Sequence, residues 1–138
     1  QKVMIAGDAA PAFLATWSWA DQLMRELKEG QHVVFPSSPR TLQEARDLDD
    51  FAEFFNLRYF PIHLEVRREE AFRRLMARGR RDDEPKTINN RLDFFEEKVR
   101  PAIEHYSHKS KNALLVIDGN AQDQNAIHQN VLRALQLA

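Results

Sequence analysis

Residues 59–83, with the sequence YFPIHLEVRREEAFRRLMARGRRDD, decide the fold class of this chain. Their first part, residues 59–66, is a short apolar run that predicts a buried strand, weakened only by Pro61. Residues 69–78 then predict a short helix with a basic surface. A buried strand that leads directly into a helix is typical of α/β proteins, in which strands and helices alternate along the chain.

The segments on either side continue this alternation. Patterns of apolar residues predict helices over residues 12–29, 41–56 and 122–137, a long helix that starts at residues 82–85 and passes residue 106, and two further strands over residues 32–35 and 113–117. Pro101 is expected to kink or restart the long helix, because proline has no N–H to donate. Short apolar strands separated by helices predict a parallel α/β sheet with both faces buried.

The first predicted helix carries an apolar stripe at helical spacing, formed by Phe13, Trp17, Ala20, Met24 and Leu27. We expect this stripe to face the core. Trp19 is two residues from Trp17, so the two indoles cannot share one helix face. We therefore expect Trp19 to be partly exposed.

The composition of the 138 residues is that of a soluble globular protein, with 43% hydrophobic and 30% charged residues. The net charge of −1 gives no overall field that would attract nucleic acid or a membrane surface. The absence of cysteine excludes disulfides, thiolate catalysis and cysteine-ligated zinc. The histidines show no ligand spacing with carboxylates, and His105 and His108 are expected to be exposed. We expect a cytoplasmic monomer without a membrane span.

The stretch between residues 67 and 81 contains seven arginines, no lysine and only two acids, Glu69 and Glu70. Arginine is preferred over lysine where a planar group must bind phosphate or carboxylate through two hydrogen bonds. Three interpretations fit such a run: a solvated basic helix, a nucleic-acid surface and a phosphate-binding site. The aromatic residues that a single-strand-binding surface interleaves with its basic groups are not evident here.

The spacing of the arginines favours a site on one side of the basic helix. Arg74 and Arg78 are four residues apart and therefore lie on one helix face. Gly79 is expected to end the helix and to let Arg80 turn toward the same space. Arg91 lies beside the apolar stripe of the next helix, a position from which its side chain could enter a cleft.

Five short motifs occur in a fixed order along the chain. They are residues 4–11 (MIAGDAAP), 38–41 (SPRT), 72–83 (FRRLMARGRRDD), 88–92 (INNRL) and the strand end Asp118-Gly119. Pro101 and Tyr106 follow the fourth motif. This order resembles the adenylate kinase family of nucleoside monophosphate kinases, whose patterns R-L-x-x-R-G and G-R-x-D-D are combined in the third motif. Each motif alone is loose, but the ordered set is specific and spans essentially the whole chain.

The resemblance implies a three-layer α/β/α fold with a parallel sheet, of the P-loop kinase type and incomplete at its N-terminus. Within one domain of residues 1–138, residues 1–30 would form the end of the monophosphate-binding region and its following helix, and residues 78–84 a short lid. The implied activity is that of an adenylate kinase, which transfers the γ-phosphoryl group of ATP to AMP. The alternative is a non-catalytic member of the family that serves in nucleotide binding or assembly.

The resemblance also implies a role for each matching residue. The acceptor AMP would be bound by Met4, Gly7, Arg40 and Glu44. The catalytic residues around the transferring phosphoryl group would be Arg74, Arg78, Arg80 and Arg91. The donor ATP would be bound by Arg74, Gly119, Asn120 and Gln122. Asp82 and Asp83 would orient the arginines of the lid. Mg²⁺ would bind with ATP, mainly through phosphates and waters. ATP and a nucleoside monophosphate are the implied partners, without nucleic acid or membrane.

Three departures from the family pattern limit these expectations. The chain contains no G-x-x-x-x-G-K-[ST] P-loop. We expect that segment and its strand upstream of Gln1; the alternative is that another element fills the gap in the sheet. Residues 36–38 (PSS) replace the family's D-G-F, whose aspartate organises magnesium-bound waters. Glu44 replaces the glutamine that recognises the adenine of AMP. Because residues 41–44 (TLQE) also fit a capping box, the role of Glu44 stays open between capping and base recognition.

Overall fold

A computed structural model describes residues 11–36, 38–120 and 123–137, which form several helices and a short sheet. The elements in chain order are α1 (Ala12–Glu26), α2 (Leu42–Phe54), β1 (Ile62–Glu65), α3 (Arg68–Arg78), α4 (Pro85–Phe94), a π-helical turn (Phe95–Val99), α5 (Arg100–His108), β2 (Leu115–Asp118) and α6 (Gln124–Ala134). This order agrees with the predicted one, apart from one strand. In the described part of the chain no helix is long and apolar enough to cross a membrane.

The sheet consists of β1 and β2, which lie side by side as a parallel pair. Ile62 is opposite Leu115, and Glu65 is opposite Asp118. Parallel neighbours need a crossover connection, which α3, α4 and α5 supply between the two strands. The predicted parallel arrangement of strands is therefore confirmed for this pair. The predicted burial of both sheet faces is wrong for Ile62, Leu64 and Val116, which are exposed.

Residues 32–35 do not form the predicted strand and have no regular secondary structure. An apolar run becomes a strand only when its N–H and C=O groups pair with a neighbouring strand. Within the described ranges no residue pairs with this run. Val33 and Val34 are exposed, so the predicted burial is also wrong for these two side chains.

The apolar stripe that was expected to bury α1 is largely exposed, so that prediction is wrong. Its most exposed members are Phe13, Trp17 and Met24, with 68%, 66% and 60% of their surface accessible. Trp19 is half-buried and packs edge-on against Phe35 and Phe51, with ring centroids 6.0 and 5.4 Å away. Thr16 faces α2, where its hydroxyl donates to Asp47 Oδ2 (2.9 Å). Because apolar residues occur on more than one face of α1, spacing alone does not identify the buried face.

The long predicted helix is interrupted next to Pro101, as expected. α4 ends at Phe94, the π-helical turn occupies Phe95–Val99, and α5 begins at Arg100. Pro101 has no N–H to donate to a preceding carbonyl, so a regular α-helical ladder cannot continue unbroken through this point. The chain nevertheless stays helical on both sides of the proline.

The buried core lies between α2 and α5. Ala45 and Ala102 are small enough for a close approach of the two helices, and Tyr106 packs beside them. The Tyr106 hydroxyl donates to the carbonyl of Ala45 (3.3 Å), which gives its polar end a partner inside the core. Tyr59 and Leu114, which precede the two strands, pack against this cluster. The core therefore connects the helix pair to the sheet.

A polar cluster around Asp49 joins α2 to α5 and to the segments before the strands. Its members, which we call the Asp49 cluster, are Asp49, Tyr59, His105, Ser110 and Asn112. Oδ1 of Asp49 accepts from the hydroxyl of Tyr59, from Oγ of Ser110 (2.8 Å) and from Nδ2 of Asn112 (3.0 Å). His105 Nε2 lies 2.7 Å from Oδ2. Only 11% of the His105 side chain is exposed, so its predicted exposure is wrong: Asp49 provides a polar partner within the fold.

Candidate active site

Gly79 ends α3 and turns the chain back toward that helix. Its backbone is left-handed, with φ of +66°, a conformation that glycine adopts without steric cost. The N–H of Asp83 then donates to the carbonyl of Arg80 (2.9 Å) and closes a tight turn. The predicted helix end is confirmed, and the turn brings Asp83 next to the last residue of α3, Arg78.

Asp83 lies at the centre of the site, and its side chain is fully shielded from solvent. Arg78 donates to it from two nitrogens, from Nε to Oδ2 at 2.9 Å and from Nη2 to Oδ1 at 2.6 Å. The backbone N–H of Arg80 donates to Oδ2 (3.0 Å), and Nη1 of Arg91 donates to Oδ1 (3.2 Å). The hydrogen bonds from Arg78 outweigh burial and hold the pKa of Asp83 far below its usual range.

Arg91 reaches the same turn from α4 and binds both aspartates. Its Nη2 donates to Oδ2 of Asp82, in addition to the bond from Nη1 to Asp83. The bond from Arg91 lowers the pKa of Asp82. We call Arg78, Asp82, Asp83 and Arg91 the Asp83 cluster. It joins the end of α3 to α4 and keeps both carboxylates ionised against two guanidinium groups.

Arg74 joins α3 to the loop that follows β2. Its Nη1 donates to the carbonyl of Gly119 (2.8 Å), and its Nη2 donates to the carbonyl of Asn120 (3.0 Å). On the other side, its Nε donates to Oε1 of Glu70 (2.7 Å). The structure thus brings together three of the residues for which donor binding was predicted, at the carboxyl end of a parallel strand, where ligands of α/β proteins commonly bind.

Gly119 is required by the close approach of this loop to β1. A Cβ atom at this position would lie 2.8 Å from Val66 Cγ2 and 3.2 Å from the carbonyl oxygen of Glu65. Because the two segments are this close, the Gly119 N–H donates to the Glu65 carbonyl (2.8 Å). Asn120 then donates from Nδ2 to Oδ1 of Asp118 (2.7 Å), which stabilises the loop beyond the strand end. The D-G pair of the motif therefore has a local structural cause.

Arg40 and Glu44 lie at the start of α2, where Thr41 is the N-cap as predicted and Glu44 reaches back to the N–H of Arg40 rather than to that of Thr41. The Glu44 N–H donates to Thr41 Oγ1 (3.2 Å). In return, Oε2 of Glu44 accepts from the Arg40 N–H (2.9 Å), and Oε1 lies 3.4 Å from Thr41 Oγ1. Only 4% of Glu44 is exposed. Recognition of the acceptor base by Glu44 stays a prediction.

Several predicted site residues are not part of these contacts. Arg80 contributes its backbone N–H to the Asp83 cluster, whereas its guanidinium group, like that of Arg81, has no hydrogen-bond or ion-pair partner in the part of the chain that the structure describes. Met4, Gly7 and Gln122 lie outside the described residues. The predicted lid, residues 78–84, forms the turn between α3 and α4.

Glu70 belongs to the site, although no motif indicated it. It lies three residues before Arg73 and four before Arg74, which is the spacing of helix-surface ion pairs, and it binds both. That spacing was the available signal. It could not reveal that Arg74 also reaches the loop after β2, because this contact joins residues 45 positions apart in sequence.

The described residues offer no set of protein ligands for a metal. Among them, no group of three or more His, Cys, Asp or Glu side chains could hold an ion. The carboxylates nearest the arginines are already engaged: Glu70 by Arg73 and Arg74, and Asp83 by Arg78 and Arg91.

Comparison with known proteins agrees with the motifs. No protein-family model matches the chain. It is 33% identical over 122 residues to the adenylate kinases of two Thermus thermophilus strains, a match that covers 85% of this chain and 61% of each relative. It is 28% identical over 136 residues to the adenylate kinase of Nocardia farcinica, with 98% of this chain and 72% of that protein covered. The chain is related to the adenylate kinase family. The resemblance predicted from the motifs is confirmed.

The chain spans 61% of the length of the Thermus thermophilus proteins that it matches. Its helices and small parallel sheet are consistent with part of an α/β kinase. The arginine motifs that carry the resemblance form two sets of contacts: the Asp83 cluster and the Arg74 contacts with the loop after β2.

Proposed function

We propose that this chain is part of an adenylate kinase, which transfers the γ-phosphoryl group of ATP to AMP and forms two molecules of ADP. The Asp83 cluster carries the proposal, because Arg78 and Arg91 are both oriented there by one ionised, buried carboxylate. The names of the relatives support the choice of reaction. Arg80, whose backbone N–H contacts Asp83, is proposed as a further cation that binds the transferring phosphoryl group.

Phosphoryl transfer depends on positioned positive charge more than on covalent chemistry. The transferring group spreads negative charge over its equatorial oxygens, and arginines that are already oriented can neutralise this charge without reorganising. Arg78 fits this requirement: Asp83 binds its Nε and Nη2, whereas its Nη1 has no hydrogen-bond partner within the described ranges. A guanidinium group that is held along one edge and open at another can bind a phosphate oxygen.

The donor and the acceptor are assigned to two different sets of residues. The proposed donor residues are Arg74, Gly119, Asn120 and Gln122. The proposed acceptor residues are Met4, Gly7 and Arg40, with Glu44 as a further candidate. Closure of the turn at residues 78–84 over the phosphates would exclude water, which otherwise competes with AMP as the phosphoryl acceptor.

We also propose that the complete fold is a three-layer α/β/α structure with a P-loop strand next to β1. Ile62 and Leu64 on β1 and Val116 on β2 are all exposed. In parallel sheets both faces are normally covered. Residues 32–35, an apolar run without a described strand partner, would pair on the other side of the added strand.

Magnesium enters the proposal as the ion of the ATP complex, where it would neutralise charge on the donor phosphates. Nucleotide phosphates and waters would supply its ligands, since the described part of the chain offers no three-residue ligand group. Pro36, which replaces the family's aspartate, has no side-chain oxygen to organise the waters of the ion.

Substitution of the arginines tests the proposed function in the complete gene product. We expect Arg91→Ala and Arg40→Ala each to lower the rate of ADP formation from ATP and AMP by about 100-fold, because each removes a cation from the phosphates. Arg25→Ala is the matched control: this arginine is 74% exposed on α1, pairs with Asp21 and is expected to be dispensable. Circular dichroism would verify that every variant is folded.

Near-normal turnover in both site variants would contradict the proposal. The alternative of a non-catalytic family member predicts another pattern, in which the wild-type protein binds a bisubstrate dinucleotide inhibitor but forms no ADP. Calorimetric titration of the inhibitor beside the activity assay separates these outcomes. Failure of the wild-type protein to bind any nucleotide would contradict both alternatives.

A further inference from the structure

Glu70 binds two arginines at once on the surface of α3. Its Oε1 accepts from Nε of Arg74 (2.7 Å) and from Nη2 of Arg73 (2.7 Å), and its Oε2 accepts from Nε of Arg73 (2.8 Å). The hydrogen bonds from Arg73 and Arg74 lower the pKa of Glu70 to about 2. The carboxylate is therefore charged at any pH suitable for an enzyme assay, within the most basic segment of the chain.

The contact with Glu70 completes the anchoring of Arg74. Nε of Arg74 is bound by Glu70 on its own helix, while Nη1 and Nη2 are bound by the carbonyls of Gly119 and Asn120 from the loop after β2. Three nitrogens of one planar group are thus bound from two separate elements, which determines both the position and the plane of the guanidinium group. An arginine paired only with a neighbour on its own helix keeps far more rotamer freedom.

The charge of Glu70 excludes a direct role in binding phosphate, because a carboxylate repels phosphoryl oxygens. Both oxygens of Glu70 are already engaged by Arg73 and Arg74, so its contribution to nucleotide binding is expected to act through these arginines. Arg73 lies on the far side of the carboxylate and binds both of its oxygens, so that Glu70 cannot rotate away from Arg74 without losing these bonds.

We propose that Glu70 is a positioning residue for the donor nucleotide: it holds the guanidinium group of Arg74 against the carbonyls of Gly119 and Asn120 and thereby sets the affinity for ATP. This inference rests on the proposed function, in which Arg74 and this loop bind ATP. Glu70 does not contact the transferring phosphoryl group, so its removal affects donor binding rather than the transfer step.

Glu70→Gln tests this role, because the amide keeps the size of the side chain and removes its charge. In the complete gene product we expect the KM for ATP to rise about tenfold, the factor for one charge-assisted hydrogen bond. The kcat and the KM for AMP should change by less than about twofold. Glu69→Gln, which changes the exposed neighbouring acid, is the matched control and should leave all three constants unchanged.

A double-mutant cycle with Arg74→Ala distinguishes positioning from a general loss of stability. If Glu70 acts through Arg74, adding Glu70→Gln to Arg74→Ala raises the KM for ATP no further. Additive effects of the two substitutions on this KM would overturn the inference, as would a wild-type KM for ATP in Glu70→Gln.

The outcome stays distinguishable from failure of the proposed function itself. If the wild-type protein transfers phosphate and Glu70→Gln behaves like it, the role of Glu70 is overturned and the proposed function stands. If the wild-type protein forms no ADP, calorimetric binding of ATP to both proteins still tests Glu70: equal Kd values overturn its role. An absence of ATP binding by the wild-type protein would overturn both proposals.

Discussion

The Asp83 cluster and the Asp49 cluster are each built around an aspartate that collects several hydrogen-bond donors, but the donors differ in kind. At Asp83 they are the guanidinium groups of Arg78 and Arg91 and one backbone N–H. At Asp49 they are hydroxyl and amide groups and an imidazole nitrogen. One carboxylate is matched by cations, and the other mainly by neutral groups.

This difference underlies our proposal that the Asp83 cluster binds a ligand, whereas the Asp49 cluster connects parts of the fold. At Asp83, the hydrogen bonds from Arg78 lower the pKa, and the two arginines can still bind an anion. At Asp49, burial raises the pKa, and the hydrogen bonds led by the one from Tyr59 more than offset it. The donors at Asp49 come from α5 and from the segments before β1 and β2. We therefore expect Asp83 to control turnover and Asp49 to control stability.

Among the substitutions that test this comparison, Asp83→Ala is expected to have the largest effect on turnover. Arg78 and Arg91 lose the carboxylate that orients both, so we expect the kcat of ADP formation to fall by about 100-fold. Glu53→Ala, which removes an exposed carboxylate paired with Lys111, is the control and should leave kcat unchanged. Asp83→Asn keeps the size of the side chain and should show most of the loss. A kcat close to wild type in both Asp83 variants would mean that the arginines are oriented by other groups.

Asp49→Ala is expected to have the opposite profile. Removal of this carboxylate leaves the hydroxyl of Tyr59 and the ring of His105 without their acceptor in a partly buried place, which should lower the free energy of unfolding by about 3 kcal/mol. Ser110→Ala removes one donor to Asp49 and the acceptor of the Asn112 N–H, and should cost about 2 kcal/mol. Urea denaturation measures both changes. The kcat of the folded Asp49→Ala protein should equal that of wild type. A large loss of kcat would contradict the assignment of Asp49 to stability alone.

The parts of the fold that could be predicted are those with a local cause. The β1 strand, the basic helix α3 and its end at Gly79 follow from apolar runs, helical spacing and the conformational freedom of glycine. Residues 32–35 have the same apolar character as β1 but lack a described partner, and a strand exists only as a pair. The exposed stripe with Trp17 was misassigned because α1 is apolar on several faces.

The site shows the same division between local and distant causes. The residues of the Asp83 cluster lie within 14 positions, from Arg78 to Arg91, and the motifs indicated all of them. The contact between His105 and Asp49 joins residues 56 positions apart, and the sequence around neither residue predicts it. Glu70 lies between these cases, because its pairing with Arg74 follows from helical spacing but the second anchor of Arg74 at Gly119 does not.

The pH dependence of the free energy of unfolding should show that Asp49 stabilises the fold, which an exposed surface carboxylate without partners would not do. The folded-state pKa of Asp49 is lowered from 3.8, so its contribution is complete above about pH 4 and is lost as the pH falls through the folded-state pKa. We expect the free energy of unfolding to decrease from pH 4 toward pH 2. In Asp49→Asn this decrease should be shallower, which urea titrations at several pH values would detect. Parallel curves for the two proteins would show that Asp49 gains no stabilising contact on folding.

The smallest expected effect concerns Glu44, which shares features of both clusters. It is buried like a structural acid, yet it lies beside Arg40, the residue proposed to bind the acceptor phosphate. Glu44→Gln keeps an oxygen that can accept from the Arg40 N–H, so α2 should lose only about 0.5 kcal/mol of stability. Because the capping contacts engage both carboxylate oxygens, we expect the ratio of the KM values for AMP and other nucleoside monophosphates to stay unchanged. That ratio, measured with AMP, GMP, CMP and UMP, decides the matter: a shift of tenfold or more would make Glu44 a base-recognising residue and assign it to function with Asp83, whereas constant ratios assign it to stability with Asp49.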